Sequence, residues 1–320
     1  MAALFIRLFG PFEVELDGEP VTSFVTDKAR ALLAYLAVEA DRPHRREVLA
    51  GLLWPEVPEQ SARASLRTAL GNVRQVVGDR ARSPDSASAP DQASRPILQV
   101  SRQTIQYNSD GRAQVDVRLF TELLHTAALH SSDQASGPRT SQDLAEAVGL
   151  YRGSFLEGFS LPDSAPFEEW ALLKREQLQR QVLSALQDLI SYYERRGEVL
   201  RALPYAWRAV ELDPWQGIVQ RQLMHVLALD GQREAALAQY EQYRQLLAEE
   251  LGVEPSETVQ QLYEVLSAGE WPDGGPPPAP MPERALTVVG PCPYRGLAAF
   301  REEDAPFFFG REAFAGQLFE

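Results

Sequence analysis

The 320-residue sequence contains a single cysteine, Cys292, and only two lysines, Lys28 and Lys174. One cysteine excludes an intramolecular disulfide framework and is typical of proteins in a reducing compartment. Neither lysine follows a glycine, so the Gly-Lys-Ser or Gly-Lys-Thr end of a phosphate-binding P-loop is missing from these residues. There is also no apolar run as long as a membrane span and no typical signal peptide at the start. We therefore expect a cytoplasmic protein that does not contact a membrane.

Residues that could support catalysis or bind a metal are equally sparse. The four histidines are scattered at positions 44, 125, 130 and 225, without a His-Glu-x-x-His or His-Cys grouping. No Gly-x-Ser-x-Gly nucleophile elbow is present. The sequence therefore predicts a chain that is not an enzyme, with no catalytic residues, no metal site and no cofactor of its own.

The charges of the chain are distributed unevenly. The formal net charge is -14, but residues 1–110 hold 13 basic and 14 acidic side chains, whereas residues 111–268 hold 14 and 23. A polyanion would be repelled by the chain as a whole, so a nucleic-acid site would have to be local and N-terminal.

The N-terminal part has the pattern of a winged helix-turn-helix. Near the start, apolar residues alternate with a period of two, which predicts a small antiparallel sheet. The predicted elements are this sheet (4–21), three helices (27–40, 45–54 and 58–78) and a closing hairpin (97–108). Residues 80–96 consist mainly of Ser, Ala, Pro and Asp, and we expect them to form a disordered insert between the third helix and the hairpin.

The third helix of this set is the candidate for DNA recognition. Residues 61–78 carry three arginines and no acid. At 100° per residue, the leucines and valines form one buried arc, and the polar side chains fall outside it as an acid-free surface. Arginine can read guanine, Asn or Gln can read adenine, and small residues permit close approach. The predicted DNA contacts on this helix are Arg63, Arg67, Thr68, Gly71, Asn72, Arg74 and Gln75.

Three further arginines are expected to bind phosphates beside this helix. Arg45 and Arg46 begin the preceding helix, and Arg102 lies at the tip of the hairpin. An ordinary solvated amphipathic helix is the alternative interpretation of the third helix. The two helices before it and the hairpin after it favour a recognition helix.

The rest of the chain is predicted to be almost entirely helical up to residue 268. Gly197 and Gly231 are 34 residues apart, and amphipathic helices follow both, which is the period of tetratricopeptide repeats. The predicted fold class is therefore mainly α with a small β component, a winged helix-turn-helix followed by a tetratricopeptide-like helical repeat domain. Residues 269–291 read as a proline-rich linker.

Several motifs in this order resemble SARP-type bacterial transcriptional activators. The segments RLFGPFEVELDG, KARALLAYLAV, REVLAGLLWPE and ARASLRTALGNVRQVVG resemble the winged-helix domain of that family. The segments VDVRLFTELL, AEAVGLYRGSFLEGF and EEWALLKREQL resemble its bacterial transcriptional activator domain (BTAD). The resemblance implies a winged helix over 1–110 and a BTAD over 111–268. It also implies an activator that binds direct repeats in double-stranded DNA, as side-by-side protomers that contact RNA polymerase.

The C-terminal residues 292–320 carry a second resemblance. The segment PYRGLAAFREEDAPFFFGRE resembles the entry to a STAND-type signalling NTPase. It implies a longer parent protein that binds ATP or a related nucleotide, with Arg311 near that nucleotide.

Two hypotheses for the function remain open on the sequence. The first is a DNA-binding activator, nucleoid-associated when bound, whose helical repeats mediate dimerisation and partner contact. The second is a signalling scaffold whose winged helix and repeats bind proteins.

Overall fold

The structure, a computed structural model, describes residues 4–79, 96–108, 113–131 and 137–269. The described part is mainly helical with a small β component, which confirms the predicted fold class. Most of the predicted insert, the proline-rich linker beyond Gly269 and the C-terminal segment with Arg311 lie outside the described residues.

The chain begins with a four-stranded sheet. Its strands are β1 (Leu4–Arg7), β2 (Glu13–Leu16), β3 (Glu19–Pro20) and β7 (Ala113–Val115), in the order β3-β2-β1-β7. The first three are antiparallel, as predicted. A two-residue turn at Asp17 and Gly18, both at positive φ, joins β2 to β3, as expected for Asp-Gly. Strand β7 lies beyond residue 110 and pairs with β1 in parallel.

Three helices and a second sheet complete the winged helix. They are α1 (Asp27–Val38), β4 (His44–Arg45), α2 (Arg46–Leu53), α3 (Glu59–Val76), β5 (Leu98–Val100) and β6 (Thr104–Tyr107). Thr26 caps α1 by accepting a hydrogen bond from the Ala29 amide. Pro58 is the N-cap of α3. Arg45 ends β4 instead of beginning α2, because its backbone pairs with β6 opposite Thr104. The hairpin β5–β6 forms where the sequence predicted it.

The remaining helices form the repeat domain. They are α4 (Asp116–Ser131), α5 (Gly137–Leu150), α6 (Ala165–Arg195), α7 (Val199–Leu212), α8 (Gly217–Leu229), α9 (Arg233–Glu250) and α10 (Glu257–Ala268). Gly197 follows α6 at φ 69° and Gly231 follows α8 at φ 76°. In both turns the amide after the glycine donates to a carbonyl five residues earlier, the pattern of a Schellman C-cap. The 34-residue spacing therefore marks two equivalent turns.

The helical domain packs directly on the winged helix. The Asp116 carboxylate accepts hydrogen bonds from the Leu8 and Phe9 amides. On the other side, Glu39 at the end of α1 accepts from Trp170 and pairs with Lys174, both on α6. These contacts join the two domains into one compact unit. No helix among the described residues is long and apolar enough to cross a lipid bilayer.

Candidate nucleic-acid interface

The third helix of the winged helix presents one face to solvent. Its apolar residues, among them Leu66, Leu70 and Val73, are buried against α1 and α2. The opposite face carries polar and small side chains that are exposed, which we call the α3 surface: Ala64, Arg67, Thr68, Gly71 and Gln75. The alternation between the two faces follows the 3.6-residue period of the helix.

Arg67 supplies the unpaired positive charge of the α3 surface. It is exposed, and within the described residues neither a hydrogen bond nor an ion pair engages its guanidinium. Gly71 lies one turn further along, and apart from its own helix backbone no described part of the protein lies within 4 Å of the position that a Cβ would occupy. The side chain of Thr68 donates to the carbonyl of Ala64, so its hydroxyl proton is used inside the helix. The planar guanidinium of Arg67 therefore lies near Gly71, where the helix carries no side chain, and a helix with this arrangement can enter a DNA groove.

The other two arginines of α3 have different surroundings. Arg63 pairs with Glu47 of α2 and with Glu59 in the first turn of α3. The helix surface that was predicted to be free of acids therefore has two carboxylates at its N-terminal end. Glu59 belongs to the first turn of α3, and the fold brings Glu47 of α2 next to it. Arg74 is half-buried, and its Nε is buried without a hydrogen-bond partner among the described residues.

Asn72 faces the segment that precedes α1. Its Oδ1 accepts a hydrogen bond from the Val25 amide at 3.0 Å, and its Nδ2 donates to the Ser23 carbonyl at 3.3 Å. The amide group that the sequence suggested for reading adenine is thus engaged with the backbone of the protein itself.

The start of α2 and the tip of the hairpin lie together. The Arg46 amide donates to the Gln103 carbonyl at 2.9 Å, and its Nε donates to the Ser101 carbonyl at 3.2 Å. Arg45 and Arg102, which are exposed, flank this contact. The structure therefore brings together the three arginines predicted to bind phosphates.

The sequence did not point to Asp79, which holds the hairpin to the end of α3. The buried carboxylate of Asp79, just after α3, accepts hydrogen bonds from the Ile97 and Leu98 amides, both at 2.8 Å. The side chain of Asn108 closes the other edge of the hairpin by donating to the Pro96 carbonyl. Asp79 thus joins the base of the hairpin to the end of α3. An acid directly after the helix-ending Gly78 was the available signal.

The described residues contain no group of three or more His, Cys, Asp or Glu side chains that could hold a metal ion. The candidate site is therefore a surface of arginines, small residues and amides.

The chain is similar in sequence to a bacterial domain family and to proteins named transcriptional regulatory proteins. Residues 115–266 match the model of the family described as bacterial transcriptional activator domain. The chain is 27% identical to the transcriptional regulatory protein EmbR of Mycobacterium tuberculosis over 264 residues, which are 80% of this chain and 61% of EmbR. It is 26% identical to the transcriptional regulatory protein MoaR1 of the same species over 266 residues, covering 82% and 78% of the two chains. These matches confirm the predicted resemblance to SARP-type regulators.

The chain is also similar to a longer protein and to a solved structure. The regulatory protein AfsR of Streptomyces griseus is 26% identical over 318 residues, which are 99% of this chain and 29% of AfsR. A solved structure, Mycobacterium tuberculosis EmbR in complex with a low affinity phosphopeptide, superposes with a TM-score of 0.57 at 23% identity, covering 84% of this chain and 66% of that chain. The superposition on EmbR shows that the two chains share a fold. The chain spans about three fifths of the length of EmbR.

Proposed function

We propose that this chain, whose residues 115–266 match the model of the bacterial transcriptional activator domain, is a DNA-binding transcriptional regulator. It binds direct repeats in promoters through α3 and activates transcription. The observation that carries the proposal is the exposed guanidinium of Arg67, which pairs with no described residue and lies on the α3 surface, whose other four members are small or uncharged. None of the five residues of the α3 surface is acidic, so this part of the helix can approach the major groove without repelling phosphates; the carboxylates of Glu47 and Glu59 lie at the N-terminal end of the helix.

Different residues have different roles in this proposal. Arg67 reads a guanine edge, and Gln75 reads a base further along the same face. Gly71 lets the helix backbone approach the bases. The arginines at the start of α2 and at the hairpin tip, Arg45, Arg46 and Arg102, bind the flanking phosphates, which set the orientation of the protein on the duplex.

The helical domain is proposed to bind proteins. Residues 111–268 carry nine more acidic than basic side chains, so they would weaken DNA binding if they faced the duplex. Stacked repeats offer an extended surface for partners. We propose that this domain pairs two protomers on neighbouring DNA repeats and contacts RNA polymerase subunits.

A signalling scaffold is the second candidate function. The observation that favours it is the position of Glu47 and Glu59, which pair with Arg63 at the N-terminal end of α3. These carboxylates reduce the positive charge of the surface and would suit a protein partner better than phosphates.

A selection experiment separates the two functions. The 320-residue chain is incubated with random-sequence duplex DNA at physiological salt, bound DNA is recovered by gel shift, and the enriched sequences are read. A DNA-binding regulator enriches a direct repeat, and Arg67→Ala loses preference at one base of each half-site. Arg244→Ala serves as the matched control, because Arg244 is exposed on α9 and pairs with Glu241. Recovery of unenriched DNA by the unmodified chain would contradict DNA recognition and favour the scaffold.

A nucleotide site in a longer parent protein is a separate proposal. It is supported by the resemblance of residues 292–320 to the entry of a STAND-type NTPase. The AfsR match extends along 99% of this chain and covers 29% of AfsR, so residues like these also occur within a longer protein. We propose that ATP or a related nucleotide binds the parent with Arg311 as one contact, since a guanidinium can pair with phosphate through two hydrogen bonds. Calorimetry on the parent carrying Arg311→Ala tests this, and an unchanged nucleotide affinity would remove Arg311 from the site.

A further inference from the structure

The segment between strand β3 and helix α1 runs along one side of α3. Asn72 of α3 holds it through two hydrogen bonds: its Oδ1 atom accepts from the Val25 amide at 3.0 Å, and its Nδ2 atom donates to the Ser23 carbonyl at 3.3 Å. On a helix, residues three and four apart are neighbours, so Asn72 lies next to Thr68 and Gln75 of the α3 surface. Residues 23–25 are therefore fixed along the edge of that surface.

The side chains of residues 23–25 point in different directions. The ring of Phe24 packs against that of Phe12, with 5.5 Å between centroids, and the guanidinium of Arg30 lies over it at 5.9 Å. The side chains before and after Phe24 are exposed: Val25 is 75% exposed, and among the described residues nothing bonds the hydroxyl of Ser23. The segment is thus anchored by Phe24 and presents one hydroxyl and one apolar side chain to solvent.

The backbone of this segment is held at both ends. Asn72 binds the groups on either side of Phe24, and Thr26, the next residue after Val25, caps α1 by accepting from the Ala29 amide. A single exposed valine has no special meaning on a protein surface. An exposed valine on a backbone fixed in this way can bind a partner with little loss of conformational entropy.

The α3 surface lies between this segment and helix α2. Glu47 of α2 contacts Arg63, and Arg63 and Asn72 are about two and a half helical turns apart, which places them on opposite sides of α3. A helix with its side chains is about 10–12 Å wide, and the major groove is about 12 Å wide. A helix that enters the groove therefore fills it, and the structures on its two sides meet the two sugar–phosphate backbones that form the groove walls.

We propose that residues 23–25 are a second DNA contact, which binds the sugar–phosphate backbone on the side of α3 away from α2. The Ser23 hydroxyl donates to a phosphate oxygen, and the Val25 side chain packs against the adjoining deoxyribose. Hydroxyl side chains are common partners of phosphate oxygens in protein–DNA complexes. Asn72 is then a positioning residue that holds the segment against α3. This inference rests on the proposed function, because it requires α3 to lie in the groove.

The charges near the segment permit this contact. Residues 20–26 contain no acid, and Asp27, which follows them, pairs with Arg30 at 2.8 Å. The segment also carries no cation, whereas the α2 side of the interface has three arginines. A neutral contact to phosphate displaces few counterions. The segment is therefore expected to add affinity for every DNA sequence without adding to the salt dependence of binding.

Operator binding by substituted chains tests the segment. The operator is the sequence that the 320-residue chain enriches from random duplexes. Ser23→Ala should raise the Kd about two- to tenfold, the loss of one hydrogen bond, with unchanged base preference and an unchanged slope of log K against log salt concentration. Val25→Asp should also raise the Kd, and by more at low salt than at high salt, because its charge repels phosphates and salt screens the repulsion.

The matched control is Leu200→Asp. Leu200 lies on α7 and is 73% exposed, so this variant introduces the same charge at an apolar position of similar exposure in the helical domain. It should bind the operator as the unmodified chain does. Circular dichroism confirms that each variant is folded, and Ser23→Ala decides the question if Val25→Asp is not.

A scan of the operator with single methylphosphonates locates the contact. Each substitution replaces one charged phosphate oxygen by a methyl group. The unmodified chain should lose affinity when the phosphate bound by Ser23 is substituted, and Ser23→Ala should no longer respond at that position. A response that is the same at every position in both proteins would contradict a phosphate contact by Ser23.

Further outcomes separate this inference from the proposed function. An unchanged Kd in Ser23→Ala, an altered base preference in that variant, or equal losses in Val25→Asp and Leu200→Asp would overturn the inference. If Arg67→Ala loses preference at one base in the same experiments, the proposed function stands and only the contact by residues 23–25 is refuted. If the unmodified chain enriches no DNA sequence, both are refuted.

Discussion

The carboxylate of Asp116, the first residue of α4, lies 2.9 Å from the backbone amide of Leu8 in the N-terminal sheet. The same carboxylate accepts hydrogen bonds from Phe9 and from Val117. It is buried, and burial raises its pKa, while the bonds from the Phe9, Leu8 and Val117 amides oppose that rise. One side chain thus satisfies amides from both domains at the point where they meet.

Asp116→Ala is expected to lower the free energy of unfolding by about 2–4 kcal/mol, because it leaves buried amides without acceptors. Denaturation in urea, followed by circular dichroism, measures the change. Glu122→Ala is the control, since Glu122 is exposed on the same helix. Equal midpoints for Asp116→Ala and the unmodified chain would show that water replaces the carboxylate.

Combined substitution of Arg67 and Arg74 by alanine is expected to weaken operator binding. Loss of an arginine that reads a base reduces the free energy of operator binding by about 1–3 kcal/mol. Loss of an arginine that binds a phosphate reduces the slope of log K against log salt concentration by about one. Gel shifts over a series of salt concentrations distinguish the two effects. The single variants show which arginine reads a base, and Arg244→Ala controls for the loss of positive charge. Unchanged operator affinity in the double variant would remove α3 from the interface.

Asn72 and Gln75 are expected to behave in opposite ways. Asn72→Ala loses two hydrogen bonds to the segment before α1, so it should lower the free energy of unfolding by about 1–2 kcal/mol. Gln75→Ala should leave stability unchanged and relax one base preference. Urea denaturation and operator selection on both variants measure this. A stable Asn72→Ala protein that loses preference for one adenine would support base reading by Asn72.

Gly231 and Gly71 form a second matched pair. Gly231 adopts φ 76° after α8, so Gly231→Ala should destabilise the protein by about 1 kcal/mol, the cost of a left-handed conformation for an L-residue. Gly71 lies inside α3 with open space around it, so Gly71→Ala should stabilise the fold by about 0.5–1 kcal/mol. Thermal unfolding measures both. Stabilisation by both alanines would contradict the turn geometry at Gly231.

Glu39 is expected to make stability depend on pH in the acidic range. Burial opposes its ionisation, but hydrogen bonds from Lys174 and Trp170 outweigh this and lower the pKa of Glu39. Its contribution is therefore fully present above the unfolded pKa of about 4.3 and is lost as the pH falls through the folded pKa. Glu39→Gln should be less stable than the unmodified chain near neutral pH, and the difference should shrink as the pH falls below that value. A difference independent of pH would contradict the ion pair with Lys174. Glu211→Gln, at an exposed position on α7, is the control.

The sequence by itself determined the fold class, most elements of the winged helix and the buried and exposed faces of α3, but not the strands β4 and β7 or the bounds of the helices after residue 115. The buried side of α3, the turn at Asp17 and Gly18, the hairpin β5–β6 and the equivalent glycines 197 and 231 all follow from local periodicity and backbone preference, which act within a few residues. The identity of the arginines on α3 was also evident, because every side chain on a helix has a calculable direction.

Only the tertiary structure decided which of those side chains are free. Glu47 reaches Arg63 from another helix, and the backbone at Val25 occupies the amide of Asn72 from 47 residues away. The pairing of β7 with β1 brings together strands more than 100 residues apart. Periodicity reports whether a residue faces inward or outward, but a hydrogen bond or an ion pair depends on the position of a second element, which no local pattern contains.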